Sequence, residues 1–207
     1  MLIGTLNALA RYPVKGLRAE RLGAADLALG GIPGDRSSAL FVRDGSARDG
    51  KTYSGKQHER LHLLDEEQAG IASAMQRGVD VEVRRDEHFF DDAPISLLVD
   101  RWLDELSARI GYRVEWERFR PNMFVRAEPE FALTETELVG AELQVGTAKL
   151  RVRSPIERCV TVTYDPQGRP SDPRVLRLLA QHRNTCMGIY CEVLEPGGVR
   201  LGDLLLV

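Results

Sequence analysis

The 207-residue sequence has no apolar run approaching the roughly 20 residues that a membrane-crossing helix needs, so no membrane partner is expected. It has only three cysteines, Cys159, Cys186 and Cys191. A sparse, odd set is not a disulfide framework, and no spacing here matches a zinc site; a reducing cytoplasm is the expected compartment. A basic excess is also missing: the formal net charge is −3, which does not recommend nucleic acid as a partner. There is no internal repeat and no low-complexity stretch. The opening Met1-Leu2-Ile3-Gly4-Thr5-Leu6 carries no basic residue ahead of its apolar run and leads into Ala10-Arg11-Tyr12-Pro13. It reads as a first strand, not as a secretion signal.

What remains is an ordinary globular composition, 43% hydrophobic and 29% charged, enough for one large domain or two small ones sharing a core. Short strand-like runs punctuated by glycine dominate: Leu6 to Tyr12, Ala24 to Leu29, and Ser38 to Val42 with Asp44-Gly45 behind it. The polar stretch Arg43 to Gln57 reads as a surface loop, or one that closes on a ligand. From Ser96 to Ile110, Leu97, Leu98, Trp102, Leu103, Leu106 and Ile110 fall at helical spacing, and Gly111 is a natural stop. Glu142 to Val145 and Lys149 to Arg153 form a hairpin pattern around Gly146-Thr147. Val160 to Tyr164 is a β-branched run, expected to be a strand. Asp172-Pro173 opens a second helix running to about Gln181. Met187 to Leu194 and Val199 to Val207 are the last expected strands. The fold class is mainly β with a few helices (α+β), with closure into a barrel to hide strand edges.

Four segments put basic residues beside turns: Tyr12-Pro13-Val14-Lys15-Gly16, Gly34-Asp35-Arg36, Arg118-Phe119-Arg120-Pro121-Asn122 and Glu157-Arg158-Cys159. Arginine offers a planar fork of donors and lysine a point charge, both suited to a phosphate or another compact anion. Asn122 can donate and accept, as the edge of a heterocycle requires. Each of these charges, taken alone, reads first as a solvated surface group. Cys159 follows Arg158 and precedes the β-branched run; its thiolate would be a metal ligand or a nucleophile, whereas the thiol as a small hydrophobe would be inert. Cys186 and Cys191 read as core residues. His58 and His62 have helical spacing without a third ligand, and Asp91-Asp92 before Pro94 reads as a helix cap or a ligand contact.

In order and spacing these segments resemble the MOSC domain family, named for the C-terminal domain of molybdenum cofactor sulfurases. They are most similar to the branch with an N-terminal β-barrel module, which includes the mitochondrial amidoxime-reducing component and bacterial relatives. The resemblance runs through Tyr12-Pro13-Val14-Lys15-Gly16, Gly34-Asp35-Arg36, Pro94-Ile95-Ser96-Leu97-Leu98, Phe119-Arg120-Pro121-Asn122, Arg158-Cys159-Val160-Thr161-Val162 with Asp165-Pro166, Gly188-Ile189-Tyr190 and Val199-Arg200-Leu201-Gly202-Asp203. It implies a smaller β-rich module over residues 1–90 and a β-barrel MOSC domain over 91–207. It also implies a molybdenum cofactor (molybdopterin) with Cys159 as metal ligand and catalytic residue. Lys15, Arg36, Arg120, Asn122, Arg158 and Tyr190 would line the cofactor. The family also has an association with pyridoxal phosphate.

The activity implied is a molybdenum-dependent oxidoreductase removing oxygen from a small N-hydroxylated or related substrate. With no further module after Val207, electrons would come from a separate donor protein of ferredoxin or flavin type. The alternatives are a sulfur carrier or transferase holding a Cys159 persulfide, and a non-catalytic cofactor-binding module. The sequence departs from the family at four places: Gly16 where serine is frequent, Asp91-Asp92-Ala93 where hydroxyl residues are frequent, Ile156-Glu157 where a second cysteine is usual, and Met187 where phenylalanine is usual.

Overall fold

The computed structural model describes residues 1–43, 46–77, 79–85 and 88–207. The first half contributes β1 (Leu2–Arg11), β2 (Val14–Lys15), β3 (Glu20–Leu22), β4 (Ala24–Leu27), β5 (Ser38–Val42), α1 (Glu66–Arg77), β6 (Val81–Arg85) and β7 (Ile95–Val99). Then follow α2 (Asp100–Ile110), β8 (Met123–Ala127), β9 (Glu142–Val145), β10 (Ala148–Glu157), α3 (Arg174–His182), β11 (Cys186–Glu195), β12 (Gly197–Arg200) and β13 (Leu204–Leu206). The Asp44-Gly45 turn expected after β5 lies outside the described residues.

Seven strands close a barrel in the order β13-β9-β10-β11-β7-β8-β1, with β1 pairing back onto β13 and β3 attached beyond β1. The fold is thus mainly β with helices on the outside, as the sequence pattern implies. β1 is the seam strand. It pairs β13 through Leu2–Thr5 and β3 through Leu9–Arg11, while β8 runs along it from Gly4 to Leu9. A register shift between Leu6 and Ala8 lets Leu6 and Leu9, three apart, both point into the core. The barrel therefore draws on both stretches, 1–90 and 91–207, into which the sequence divides. A separate three-stranded sheet, β2-β5-β6, packs Val14, Leu17, Leu40, Val42, Tyr53 and Leu61 into a second, smaller apolar cluster. Among the described residues no helix is long and apolar enough to cross a membrane.

Four expectations need correction. The run Ser96–Ile110 is not one helix: Ile95–Val99 is strand β7, buried at every position and pairing β11 on one side and β8 on the other. A short run buried on both faces has no period that separates strand from helix. The helix starts at Asp100, whose carboxylate accepts the Ala127 amide at 2.8 Å, and ends at Gly111. Val160–Thr163 is a 3-10 turn instead of a strand, closed by the Thr163 hydroxyl donating to the Val160 carbonyl at 2.7 Å. The single strand expected over Val199–Val207 is broken into β12 and β13 by a turn in which the Arg200 amide donates to Asp203. Finally, α1 has no counterpart among the expected elements. Its signal is a reciprocal box before the helix: the Gln68 amide donates to the Asp65 carboxylate at 2.9 Å, and the Asp65 amide to the Gln68 side chain at 3.1 Å.

Candidate functional site

A cleft of about 360 Å³ opens where the small sheet meets the barrel. Lys15, Arg36, Arg120, Asn122, Arg158, Cys159 and Tyr190 all line it. They come from separate places in the fold. Lys15 ends β2, Arg36 lies on the turn before β5, and Arg120 and Asn122 lead into β8. Arg158 and Cys159 follow β10, and Tyr190 sits on β11.

Tyr12 organises one end. Its ring carries the Arg36 guanidinium at 4.7 Å and the Arg120 guanidinium at 4.3 Å from the centroid. Its hydroxyl donates to the Pro121 carbonyl at 3.0 Å, and its amide donates to Asp35 at 2.7 Å. Both arginines hold left-handed backbones, φ 46° and 51°. This conformation is costly for residues with a side chain and persists only where surroundings enforce it. For Arg36 the enforcing contacts are its amide on the Tyr12 carbonyl at 2.7 Å and its carbonyl under the Phe89 amide at 2.9 Å. Its guanidinium pairs with buried Asp35 and reaches the Arg120 carbonyl at 3.3 Å. Arg120 donates one Nη2 bond to the Leu17 carbonyl at 2.6 Å. Burial lowers its pKa to about 10, which leaves it charged at neutral pH.

Asn122 lies deeper than a ligand-reading amide would. Its Oδ1 accepts from the Ser96 amide at 3.0 Å, the Ser96 hydroxyl at 2.9 Å and Arg36 at 3.3 Å, while Nδ2 donates to the Ala10 carbonyl at 3.2 Å. The heterocycle contact expected of it retains a single free N–H. The first work of this side chain is to align Arg36 and tie β7 to β1. Lys15 is more exposed and pairs with Asp91 at 2.5 Å. Asp92 accepts from the Ser154 hydroxyl at 3.0 Å. The acidic pair is therefore no helix cap, since α2 begins at Asp100.

At the other end, Arg158 donates to the Met187 carbonyl at 2.8 Å and the Phe119 carbonyl at 2.9 Å. Its buried Nη2 finds no acceptor among the described residues. Burial brings its pKa down to about 10. Gly188 makes room for it: a Cβ there would sit 3.1 Å from Nη2 and 2.9 Å from the Leu97 carbonyl. Cys159 is exposed, with its Sγ 3.2 Å from the Thr161 hydroxyl. Cys191 is buried, as expected, and burial pushes its thiol strongly up; Cys186 is only half-buried. Tyr190 is half-buried, and burial with Asp91 nearby raises its phenol.

Several residues of this cleft were not singled out as site residues by sequence. His62 lines it and contacts the Asp165 carbonyl at 2.9 Å; because a carbonyl only accepts, Nε2 carries the proton. Burial lowers the pKa of this imidazole. Ser54, Gly55 and Lys56, from the loop expected to close on a ligand, form the opposite wall. Gly55 lies so close to the cysteine turn that a Cβ would meet Thr161 Cγ2 at 3.0 Å. Arg118, grouped by sequence with the anion-binding arginines, is instead fully engaged inside the protein. It donates to the Thr163 carbonyl at 3.1 Å, the Tyr164 carbonyl at 2.9 Å, Asp165 at 2.9 Å and Glu115 at 2.9 Å, fastening the turn after Cys159. Among the described residues no group of three or more histidine, cysteine and acidic side chains could hold a metal by itself.

The sequence model of the MOSC domain matches residues 84–205. The chain belongs to the MOSC domain family. Over 126 residues it is 28% identical to mitochondrial amidoxime reducing component 2 of Macaca fascicularis and 27% identical to that of Homo sapiens. These alignments cover 55% of this chain and 36% of each relative, so the chain matches about a third of the length of those proteins. Among solved structures, the YuaD protein from Bacillus subtilis aligns with a TM-score of 0.59 at 20% identity, covering 99% of this chain and 94% of the other. That likeness concerns the fold.

The MOSC match divides the cleft. Arg120, Asn122, Arg158, Cys159 and Tyr190 lie inside it, while Lys15, Arg36, Gly55 and His62 lie before it. The thiol belongs to the MOSC domain, and two of the cations facing it come from the segment ahead of that domain. The family is associated with molybdenum cofactor binding.

Proposed function

We propose that the cleft holds a molybdenum cofactor, with the anionic end at Lys15, Arg36 and Arg120 and the metal at Cys159. The reading rests on one observation: an exposed thiol shares a single cleft with several cations, Lys15, Arg36, Arg120 and Arg158 among them. The donor set suits the group. Arg36 and Arg120 are held by fixed partners, Lys15 is a more exposed point charge, and among the described residues the buried Arg158 Nη2 lacks an acceptor that a ligand oxygen would supply. Cys159 offers the thiolate that a soft metal ligand requires.

When bound, such a cofactor supplies two-electron oxygen-transfer chemistry, and the chain supplies position and charge. Tyr12 fixes the spacing of Arg36 and Arg120. Asn122 orients Arg36, Arg118 holds the turn that presents Cys159, and the Gly55 loop narrows access to the sulfur. On this reading the protein reduces small N-hydroxylated or related oxygenated compounds with electrons from a separate donor protein. The test combines metal analysis and oxidised-pterin fluorescence with turnover of an N-hydroxylated substrate. Wild type should carry metal and pterin and turn over; Cys159→Ser should lose metal and turnover. Wild-type rates in Cys159→Ser would overturn the assignment.

Exposure of Cys159 also suits a second reading, a sulfur carrier. Incubation with a cysteine desulfurase and its substrate would then add one sulfur atom to the intact mass of the wild type. Cys159→Ser would stay unmodified.

A further inference from the structure

Lys15 differs from Arg36 and Arg120 in being paired with a carboxylate that is itself largely exposed. Its ammonium lies 2.5 Å from Asp91, and the two side chains are 33% and 69% exposed. Asp91 itself lines the cleft. Its neighbour Asp92 is tied to Ser154 on β10, so the backbone is anchored while the Asp91 carboxylate stands largely in solvent. An anion approaching Lys15 meets a position already taken by another anion. Arg36 shows the opposite arrangement: its carboxylate partner, Asp35, is buried behind it and cannot leave.

We infer that Asp91 is an internal stand-in for the ligand's anionic group: it occupies Lys15 in the free protein and swings out when an anion binds. The inference rests on the anion-binding reading of this end of the cleft. A solvent-exposed pair has a small net worth, so the carboxylate can leave at little cost, yet it lowers affinity for every anion that needs Lys15. The device makes the Lys15 end discriminate. A diffuse or weakly held anion does not displace Asp91, whereas a phosphate also gripped by Arg36 and Arg120 does.

The experiment titrates ligand-free protein with inorganic phosphate at low salt, followed by NMR or calorimetry, for wild type, Asp91→Asn, Lys15→Met and the double variant. Asp91→Asn should bind phosphate about two- to five-fold more tightly, the range expected for releasing an exposed pair. Lys15→Met should bind more weakly, and in the double variant the Asp91→Asn gain should vanish, because Asp91 acts through Lys15. Unchanged affinity in Asp91→Asn overturns the inference. So does a gain that persists without Lys15, which would make Asp91 a mere background charge. Either result alongside measurable wild-type binding weakened by Lys15→Met leaves the anion site standing. Absence of phosphate binding in every variant removes that site and the inference with it. Unaltered thermal melting of the three variants keeps loss of fold from imitating any of these results.

Discussion

The Arg118 guanidinium meets the Asp165 carboxylate at 2.9 Å, with both side chains only 3% exposed. The same guanidinium caps two carbonyls of the turn that follows Cys159. Asp165 takes a second cation, Arg169, at 2.8 Å. The cysteine is thus presented by a turn whose geometry is fixed from inside the protein.

Removing Arg118 leaves Asp165 with Arg169 as its remaining cation but strips the Thr163 and Tyr164 carbonyls of their donor. Arg118→Met should destabilise the fold by about 2–4 kcal/mol. In a chain of this size that lowers Tm by roughly 4–16 °C. Thermal melting followed by circular dichroism measures it, and a drop of only a degree or two would remove Arg118 from this role.

Cys159→Ser should leave stability within about 0.5 kcal/mol of wild type, because the thiol is exposed and packs no core. Urea unfolding checks this independently of any metal content. A large loss would mean that the sulfur has a packing role.

Gly188→Ala should cost about 1–3 kcal/mol, since the residue holds φ 83° and an added Cβ would press on the Leu97 carbonyl and Arg158. The same variant should retain less pterin than wild type, because Arg158 must shift. Melting and oxidised-pterin fluorescence on one preparation report the two effects separately.

Acid should weaken the region between α2 and α3. Hydrogen bonds from Arg174 hold Asp172 at about 2. At Asp165 burial pushes upward, but hydrogen bonds from Arg169 and Gln167 more than offset it, and the carboxylate sits below its ordinary value. Depressed folded-state values mean stability that is fully present above the unfolded value, about 4, and lost as pH falls through the folded one. Unfolding free energy should therefore decline from about pH 4 toward pH 2. In Asp172→Asn the share due to that carboxylate should be missing from the decline.

The parts of this fold that could be read from sequence are those whose causes are local. Ser38–Val42 is a strand between breakers, Glu142–Val145 turns back through Gly146-Thr147, and Asp172-Pro173 opens α3. Val160–Thr163 misleads because the partner of its backbone is Arg118, more than forty residues earlier. Ile95–Val99 misleads because burial on both faces erases periodicity. At the site, residue type and turn position were enough to collect six residues that share one cleft, and the family resemblance added Tyr190. They were not enough to separate Arg120 from Arg118, two positions away, whose guanidinium is spent on the Thr163 and Tyr164 carbonyls, Asp165 and Glu115. Nor did they reveal that the Asn122 amide is already occupied by Ser96, Arg36 and Ala10.

The β1–β13 seam joins segments about two hundred residues apart, Leu2 lying opposite Leu206. During synthesis β1 must wait for β13 before the barrel can close, so closure is a late event governed by loop entropy more than by local preference. Lys15 and Arg36 leave the ribosome long before Arg158 and Cys159, so the two ends of the cleft can meet only after most of the chain has emerged. A ligand that bridges them needs contacts between distant segments, such as Asn122 with Arg36 and Ala10, to have formed first.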